Sequence, residues 1–308
     1  MNTLHRPLPP PATALSRRVL AASALAMACS LASAAIVTTP AGTIVSTTPS
    51  PGVSDPFATG VWQRTEVRTG SSIGITGDYP RSGDGSVLMT SNDQFGKAVW
   101  QYVAATPLGA LSSFSSATYD WYRASTSTAP QHAMPAFRIL VDIDGQNVGT
   151  STDIASIIFE RVYQPGEGTT VPAPTDAWTT EAIGPNSIVW VYYTGQGSDY
   201  TYTPLSEYMD GSHGLPAGLP GVTTPITGNS QIIGINAGIG SGMSGTFRGA
   251  VDNMGLVAAS TFGPDNFELT APPPPPPAPV PTTDLWALLG LSGLLAGLAA
   301  WRQRRRHG

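Results

Sequence analysis

The residues best suited to recognising another molecule are aromatic. Trp121, Tyr122, Trp178, Tyr200 and Tyr202 fall at the ends of strand-like runs or in the turns between them. Each offers a flat apolar ring with a polar tip. Sugar rings present apolar C–H faces that stack on such side chains, while Asn, Asp and Arg fix the hydroxyls. These five, with Asp252 and Asn253, form the candidate ligand-binding set, and a polysaccharide is the ligand it suits. The competing reading is that aromatic stripes in a β-protein fill its core, and Trp100 and Trp190 are assigned there.

Other chemistry is poorly supplied. The two histidines between residues 35 and 270, His132 and His213, sit in Pro-, Gly- and Ala-rich loops and belong to no H-x-x-x-H or H-E-x-x-H pair, which argues against zinc. No G-x-S-x-G nucleophile elbow occurs. Glu160, beside Arg161 on a predicted strand, is the best-placed carboxylate, and its neighbour favours a structural role. No catalytic residue and no enzymatic activity are expected. Asp142-Ile143-Asp144-Gly145 opens like a calcium loop but lacks the bidentate glutamate of an EF-hand, so Asp144-Gly145 reads as a hairpin turn. Gly240-Ser241-Gly242-Met243-Ser244-Gly245 fits G-x-G-x-x-G, yet the residues after it read as strand, where a dinucleotide site needs a helix.

The elements that would position these residues are strands. From residue 57 to 270 the chain repeats short β-branched and aromatic runs, cut by Gly, Pro, Asn, Asp and Ser clusters, with almost no helical period. That pattern predicts an all-β sandwich. Strands are expected over 61–68, 71–76, 86–90, 97–103, 117–123, 136–143, 156–163, 187–194, 231–237, 246–257 and 266–270. In 117–123, Tyr119, Trp121 and Arg123 share one face, with Asp120 and Tyr122 on the other. In 187–194 both faces are apolar, which predicts a central strand covered on both sides. One short helix is expected over 204–209, with Thr203 capping.

The ends carry targeting signals. Residues 1–34 read as a secretory signal: Arg6, Arg17 and Arg18 precede an apolar core, and Ala32-Ser33-Ala34 gives an A-x-A cleavage pattern. Cleavage there removes Cys29, the only cysteine; the alternative, a lipidated Cys29, lacks the usual leucine at Ala26. Residues 35–56 read as an exposed lead. Residues 271–284 form a proline-rich stalk, since six prolines in a row, 272–277, must extend as a polyproline helix. The uncharged run 285–301 would make about 25 Å of helix, enough to span a membrane. Trp286 and Trp301 suit its two interfaces, and the basic tail 302–308, with Arg302, Arg304, Arg305 and Arg306, should stay cytoplasmic. Between residues 35 and 270 there are 8 Lys and Arg against 19 Asp and Glu, a formal charge of −11. So acidic a body excludes nucleic acid as a partner and disfavours anionic glycans.

Two resemblances follow from these residues. Val280-Pro281-Thr282, with Trp286 five residues after Pro281, resembles the start of the IPTL-CTERM sorting tails of Gram-negative bacteria, relatives of PEP-CTERM signals; Thr283 and Leu285 depart from the usual residues. The resemblance implies sorting to the cell envelope by an exosortase-type enzyme, with an ordinary membrane anchor as the alternative. The segment 245–256 followed by Asn266-Phe267-Glu268, together with Gly85-Ser86-Val87-Leu88, resembles strands of jelly-roll carbohydrate-binding modules. That implies a jelly-roll ectodomain, extracellular polysaccharide as its ligand, and a structural calcium drawing on Asp55, Asp78, Asp84 or Asp252. A structural surface protein without a small ligand is the second expectation and a glycan-active enzyme the third.

Overall fold

A computed structural model describes residues 35–38, 58–145, 153–240, 242–270, 294–295, 298 and 301–303. Its strands, in chain order, begin with β1 (Ala35–Thr38), β2 (Trp62–Thr65), β3 (Ser71–Thr76), β4 (Ser86–Ser91) and β5 (Ala98–Val103). Then come β6 (Gly109–Ala110), β7 (Ser116–Arg123), β8 (Ala136–Asp142), β9 (Ile154–Phe159) and β10 (Trp178–Ile183). The last are β11 (Ile188–Tyr193), β12 (Gly197–Pro204), β13 (Gln231–Ile239), β14 (Phe247–Val257) and β15 (Thr261–Glu268). One short helix, α1 (Leu205–Met209), follows β12.

These strands form two sheets. The eight-stranded sheet runs β12-β11-β9-β8-β13-β5-β2, with β6 also on β13. In the seven-stranded sheet the long β14 pairs with β7 along one edge and with β4 and β15 along the other; β10, β3 and β1 complete it. Among the strands described, every pairing is antiparallel except β1 on β15. The result is an all-β sandwich with very little helix.

Period-two alternation builds its core. On β11, Val189, Val191 and Tyr193 point inward and are buried, while Ile188, Trp190 and Tyr192 point outward and stay half-buried. On β8, Phe137, Ile139 and Val141 join the same core, leaving Ala136, Arg138 and Leu140 to the outer face. Trp121, Tyr119, Tyr193, Tyr208, Phe137, Phe247 and Phe267 are the largest wholly buried side chains among the described residues. Trp62 closes one end, stacked on Trp100 at 6.4 Å and edge-on to Phe267 at 5.0 Å.

The structure corrects several expectations. β11 is next to the edge strand β12 rather than central, and one of its two apolar faces lines a surface groove. Tyr200 and Tyr202 lie inside strand β12 rather than at a strand end or in a loop, whereas Trp178 is the first residue of β10. Residues 35–38, expected in an exposed lead, pair with β15. The α1 N-cap is Pro204, with no side-chain cap, so Thr203 does not cap it. No helix among the described residues is long and apolar enough to cross a membrane, and most of the expected span 285–301 lies outside them. So do the signal segment 1–34, the stalk 271–284, the motif residues Val280, Pro281, Thr282 and Trp286, and Arg304, Arg305 and Arg306. Trp301 and Arg302 are described, helical and exposed.

Candidate functional site: a groove on the outer face of the eight-stranded sheet

A groove of about 630 Å³ crosses the outer face of the eight-stranded sheet. Its floor is a single cross-strand row. Gln101 on β5 pairs with Asn236 on β13, Asn236 with Arg138 on β8, Arg138 with Ile158 on β9, and Ile158 with Trp190 on β11. Strands lie about 4.8 Å apart, so the row from β5 to β11 spans about 19 Å at right angles to the strands. Gly234, on the same face of β13 as Asn236, keeps the strands close: a Cβ there would sit 2.2 Å from the Tyr102 carbonyl. Loops carrying His132, Met134 and Met243 rise along one rim, where β8 begins and β13 ends.

The half of the groove over β11 and β12 is aromatic. Tyr200 is 62% exposed and lies 5.1 Å from the Trp190 ring, while Tyr202 stacks on Tyr163 at 4.1 Å. Tyr163 comes from the 3-10 turn Arg161–Tyr163, directly after β9. Burial, then the Tyr202 hydroxyl, raise the Tyr163 phenol above its ordinary range, so it stays neutral. The Trp190 indole donates to Glu160 Oε2 at 2.9 Å, which fixes the ring. Ring pairs set in this way are rigid apolar platforms with polar edges.

The other half is polar. Arg138 Nη1 donates to Asn236 Oδ1 at 3.0 Å, and Asn236 Nδ2 donates to Gln101 Oε1 at 3.2 Å. Lys97 pairs with Glu66 at 2.6 Å. Burial lowers the Lys97 pKa; Glu66 opposes this and the nearby Arg138 and Arg68 reinforce it. Arg161, at the wall, bridges Glu167 at 2.5 Å and Glu181 at 3.0 Å.

The aromatic residues expected to act together are split between two faces and the interior. Tyr200 lines the groove, and Tyr202 lies beside it, stacked on the lining residue Tyr163. Tyr122 and Trp178 are on the outer face of the opposite sheet, their rings 5.7 Å apart, with Tyr79 stacked on Tyr122 at 4.3 Å. Each arginine there has a carboxylate partner: Arg81 with Asp120 at 2.9 Å and Arg248 with Asp78 at 3.4 Å. Trp121 is 0% exposed and cannot meet a ligand; it faces inward on β7 and donates to Glu181 Oε1 at 3.1 Å. Trp190, assigned to the core from its neighbours, and Arg138, Asn236 and Gln101 are the groove residues that pattern reading missed.

Asp252 and Asn253 hold the bulge of β14. Asp252 Oδ1 accepts the Phe267 and Asn253 amides at 2.9 and 2.8 Å, and Asn253 Nδ2 donates to Ser82 Oγ and Asp120 Oδ2, both at 2.8 Å. Burial pushes the Asp252 carboxyl up to about 7 against those amide bonds, with Glu268 and Asp120 adding to the rise. Asp252 Oδ2, Asn266 Oδ1 and Glu268 Oε1 are buried without a hydrogen-bond partner. Hard oxygens of this kind could hold a calcium ion. Asp84, another calcium candidate, instead bonds Thr270 and the Leu269 amide, and Asp55 lies outside the described residues. A second group, Asp142, Asp144 and Asp153, brings ligand atoms within 4.8 Å of one another at the β8–β9 hairpin. His213 binds Asp199 at 2.8 Å, with Tyr208 at 3.2 Å, in a buried trio away from the groove.

Comparison with curated proteins gave no match. Among solved structures, the chain is similar to the family 11 carbohydrate-binding module of the cellulosomal cellulase Lic26A-Cel5E of Clostridium thermocellum, at 16% identity over 65% of this chain and 88% of that one, with a TM-score of 0.34. It is similar to the Clostridium thermocellum family 11 module in complex with a beta-1,3-1,4-mixed-linked tetrasaccharide, at 14% identity over 68% and 95%, with a TM-score of 0.33. A beta-1,2-glucanase from Parabacteroides distasonis is similar at 11% identity over 65% of this chain and 23% of its own, with a TM-score of 0.33. All three likenesses are distant. At the C-terminus, residues 278–305 carry an IPTL-CTERM motif.

Proposed function

We propose that this is an exported, envelope-attached protein whose jelly-roll sandwich binds an extracellular polysaccharide laid across the outer face of the eight-stranded sheet. The observation that carries the reading is the groove itself. Rigid aromatic platforms, Trp190–Tyr200 and Tyr163–Tyr202, lie beside a hydrogen-bonding floor of Arg138, Asn236 and Gln101. Stacking surfaces beside hydroxyl-binding amides are what a sugar chain requires. The IPTL-CTERM motif supports export and handling by a sorting enzyme of the exosortase type. On this reading residues 1–34 direct secretion, 271–284 form a stalk, 285–301 anchor the chain in the membrane, and the tail 302–308 stays inside.

Binding without catalysis is the favoured activity. The groove has two carboxylates, Glu66 and Glu160, each already engaged, by Lys97 and by the Trp190 indole. They follow β2 and β9, four strand spacings apart, so their backbones are about 19 Å from each other. Glycoside hydrolysis wants its carboxyl pair within about 5–9.5 Å. The orphaned oxygens of Asp252, Asn266 and Glu268 support a structural calcium on the far sheet. Screening residues 35–270 on a glycan array tests the function: at least one polysaccharide should be retained, and none would leave the structural surface protein as the better reading.

A further inference from the structure

The domain's charges are not spread evenly. Of the eight basic residues between 35 and 270, four line the groove, against two of the nineteen acidic ones. Two of those cations are neutralised by ion pairs, Lys97 by Glu66 and Arg161 by Glu167 and Glu181. Arg138 is not. It is 9% exposed, lies on the groove floor, and has no carboxylate within 4.0 Å among the described residues; its one side-chain hydrogen bond runs to Asn236. A guanidinium has five N–H donors, and a nearly buried charge is ordinarily paired. Arg68, on the same side of the groove, makes one bond to the Phe95 carbonyl.

Building on the groove as a glycan site, we infer that its preferred ligand is an anionic polysaccharide, and that Arg138 receives a sugar carboxylate. Guanidinium and carboxylate match as a two-pronged, charge-assisted pair, stronger than any bond Arg138 could make to a hydroxyl. Arg138 is two strand spacings, about 10 Å, from Trp190, so a chain stacked on the aromatic half presents a later sugar to the cation. The body carries a formal −11, which repels an acidic chain in general, whereas four of its eight cations gather at this groove. This reverses the expectation from composition alone, which averages over the surface.

The test uses the full chain in detergent against immobilised alginate, polygalacturonate and hyaluronate, each beside its carboxyl-reduced neutral counterpart, with a mixed-linkage β-glucan as a further neutral probe. At least one acidic polymer should bind tenfold or more tightly than its neutral form, with affinity falling as salt rises. Arg138→Gln should erase that preference and Arg138→Lys retain part of it; thermal unfolding confirms that each variant is folded, and the salt dependence of the parent reads the same charge if Arg138→Gln is not. Equal binding to acidic and neutral forms, or a preference that survives Arg138→Gln, overturns the inference. Binding to neutral polymers alone overturns it but leaves the glycan site standing, and binding to none removes both.

Discussion

Trp190 is the residue on which the proposed function turns. Its ring is held by Glu160, flanked by Tyr200 and set at the β11 end of the floor row, so Trp190→Ala removes a stacking platform without opening the core. Central aromatic anchors of this type are worth about 2 kcal/mol, or roughly thirtyfold in Kd. We expect that loss for Trp190→Ala by isothermal titration against whichever polysaccharide the array identifies, and no loss for Trp178→Ala on the opposite face. The aromatic residue types were legible from sequence, and their placement was only partly so. Trp190 read as core because its strand is apolar on both faces, which means full burial in a parallel sheet but here means one packed face and one lined with sugar-sized rings. Trp121 read as accessible because it lies near a strand end, although it shares a face with Tyr119 and Arg123, and that face is buried. Arg138, Asn236 and Gln101 carried no signal at all, being three polar residues on three separate strands that only the register brings into line.

At the scale of elements, the strands with dense β-branched or aromatic runs were legible: 71–76 matches β3, and the others agree within a few residues. β10, β12, β1 and β6 were not. Gly197–Pro204 is rich in Gly, Ser, Thr and Asp, and it is a strand because it pairs along β11 and is pinned to α1 by buried contacts rather than by propensity. A further buried contact, Asp199 with His213, ties β12 to the loop after α1. Burial pushes the Asp199 carboxyl up, but the hydrogen bonds from Thr201 and His213 outweigh it and leave the pKa below 3.8. A lowered carboxylate stabilises the fold above its unfolded pKa and loses that contribution as pH falls through the folded one. The Tm penalty of Asp199→Asn, followed by circular dichroism, should therefore be largest near neutrality and shrink below about pH 3.8; a penalty that does not vary with pH would mean the bonds matter without the charge. The β14–β15 ladder makes a separate prediction from its orphaned oxygens. Calcium should raise the Tm of the parent and a chelator lower it, with Asp252→Asn insensitive to both; a Tm indifferent to calcium would leave Asp252 simply protonated and packed.

For the whole molecule, one sandwich is followed by a C-terminal sorting motif. On the proposed reading, the apolar run within the IPTL-CTERM motif at 278–305 is the tether. Deleting 285–308 should release the sandwich into the soluble fraction, as cell fractionation would show, whereas unchanged retention would point to a lipidated Cys29 or an uncut signal. The two outer faces of the sandwich, one with an open groove and one with its arginines already paired, then make different offers to an external ligand. The measurement that separates them most directly is an NMR titration of the sandwich with an oligosaccharide of the bound polymer, read on the tryptophan indole N–H resonances. Trp190 lines the groove, Trp178 sits on the far face, and Trp121 is sealed in the core. The Trp190 resonance should move in proportion to occupancy while Trp178 and Trp121 hold still; a moving Trp178 with a silent Trp190 would place the ligand on the wrong sheet and contradict this account.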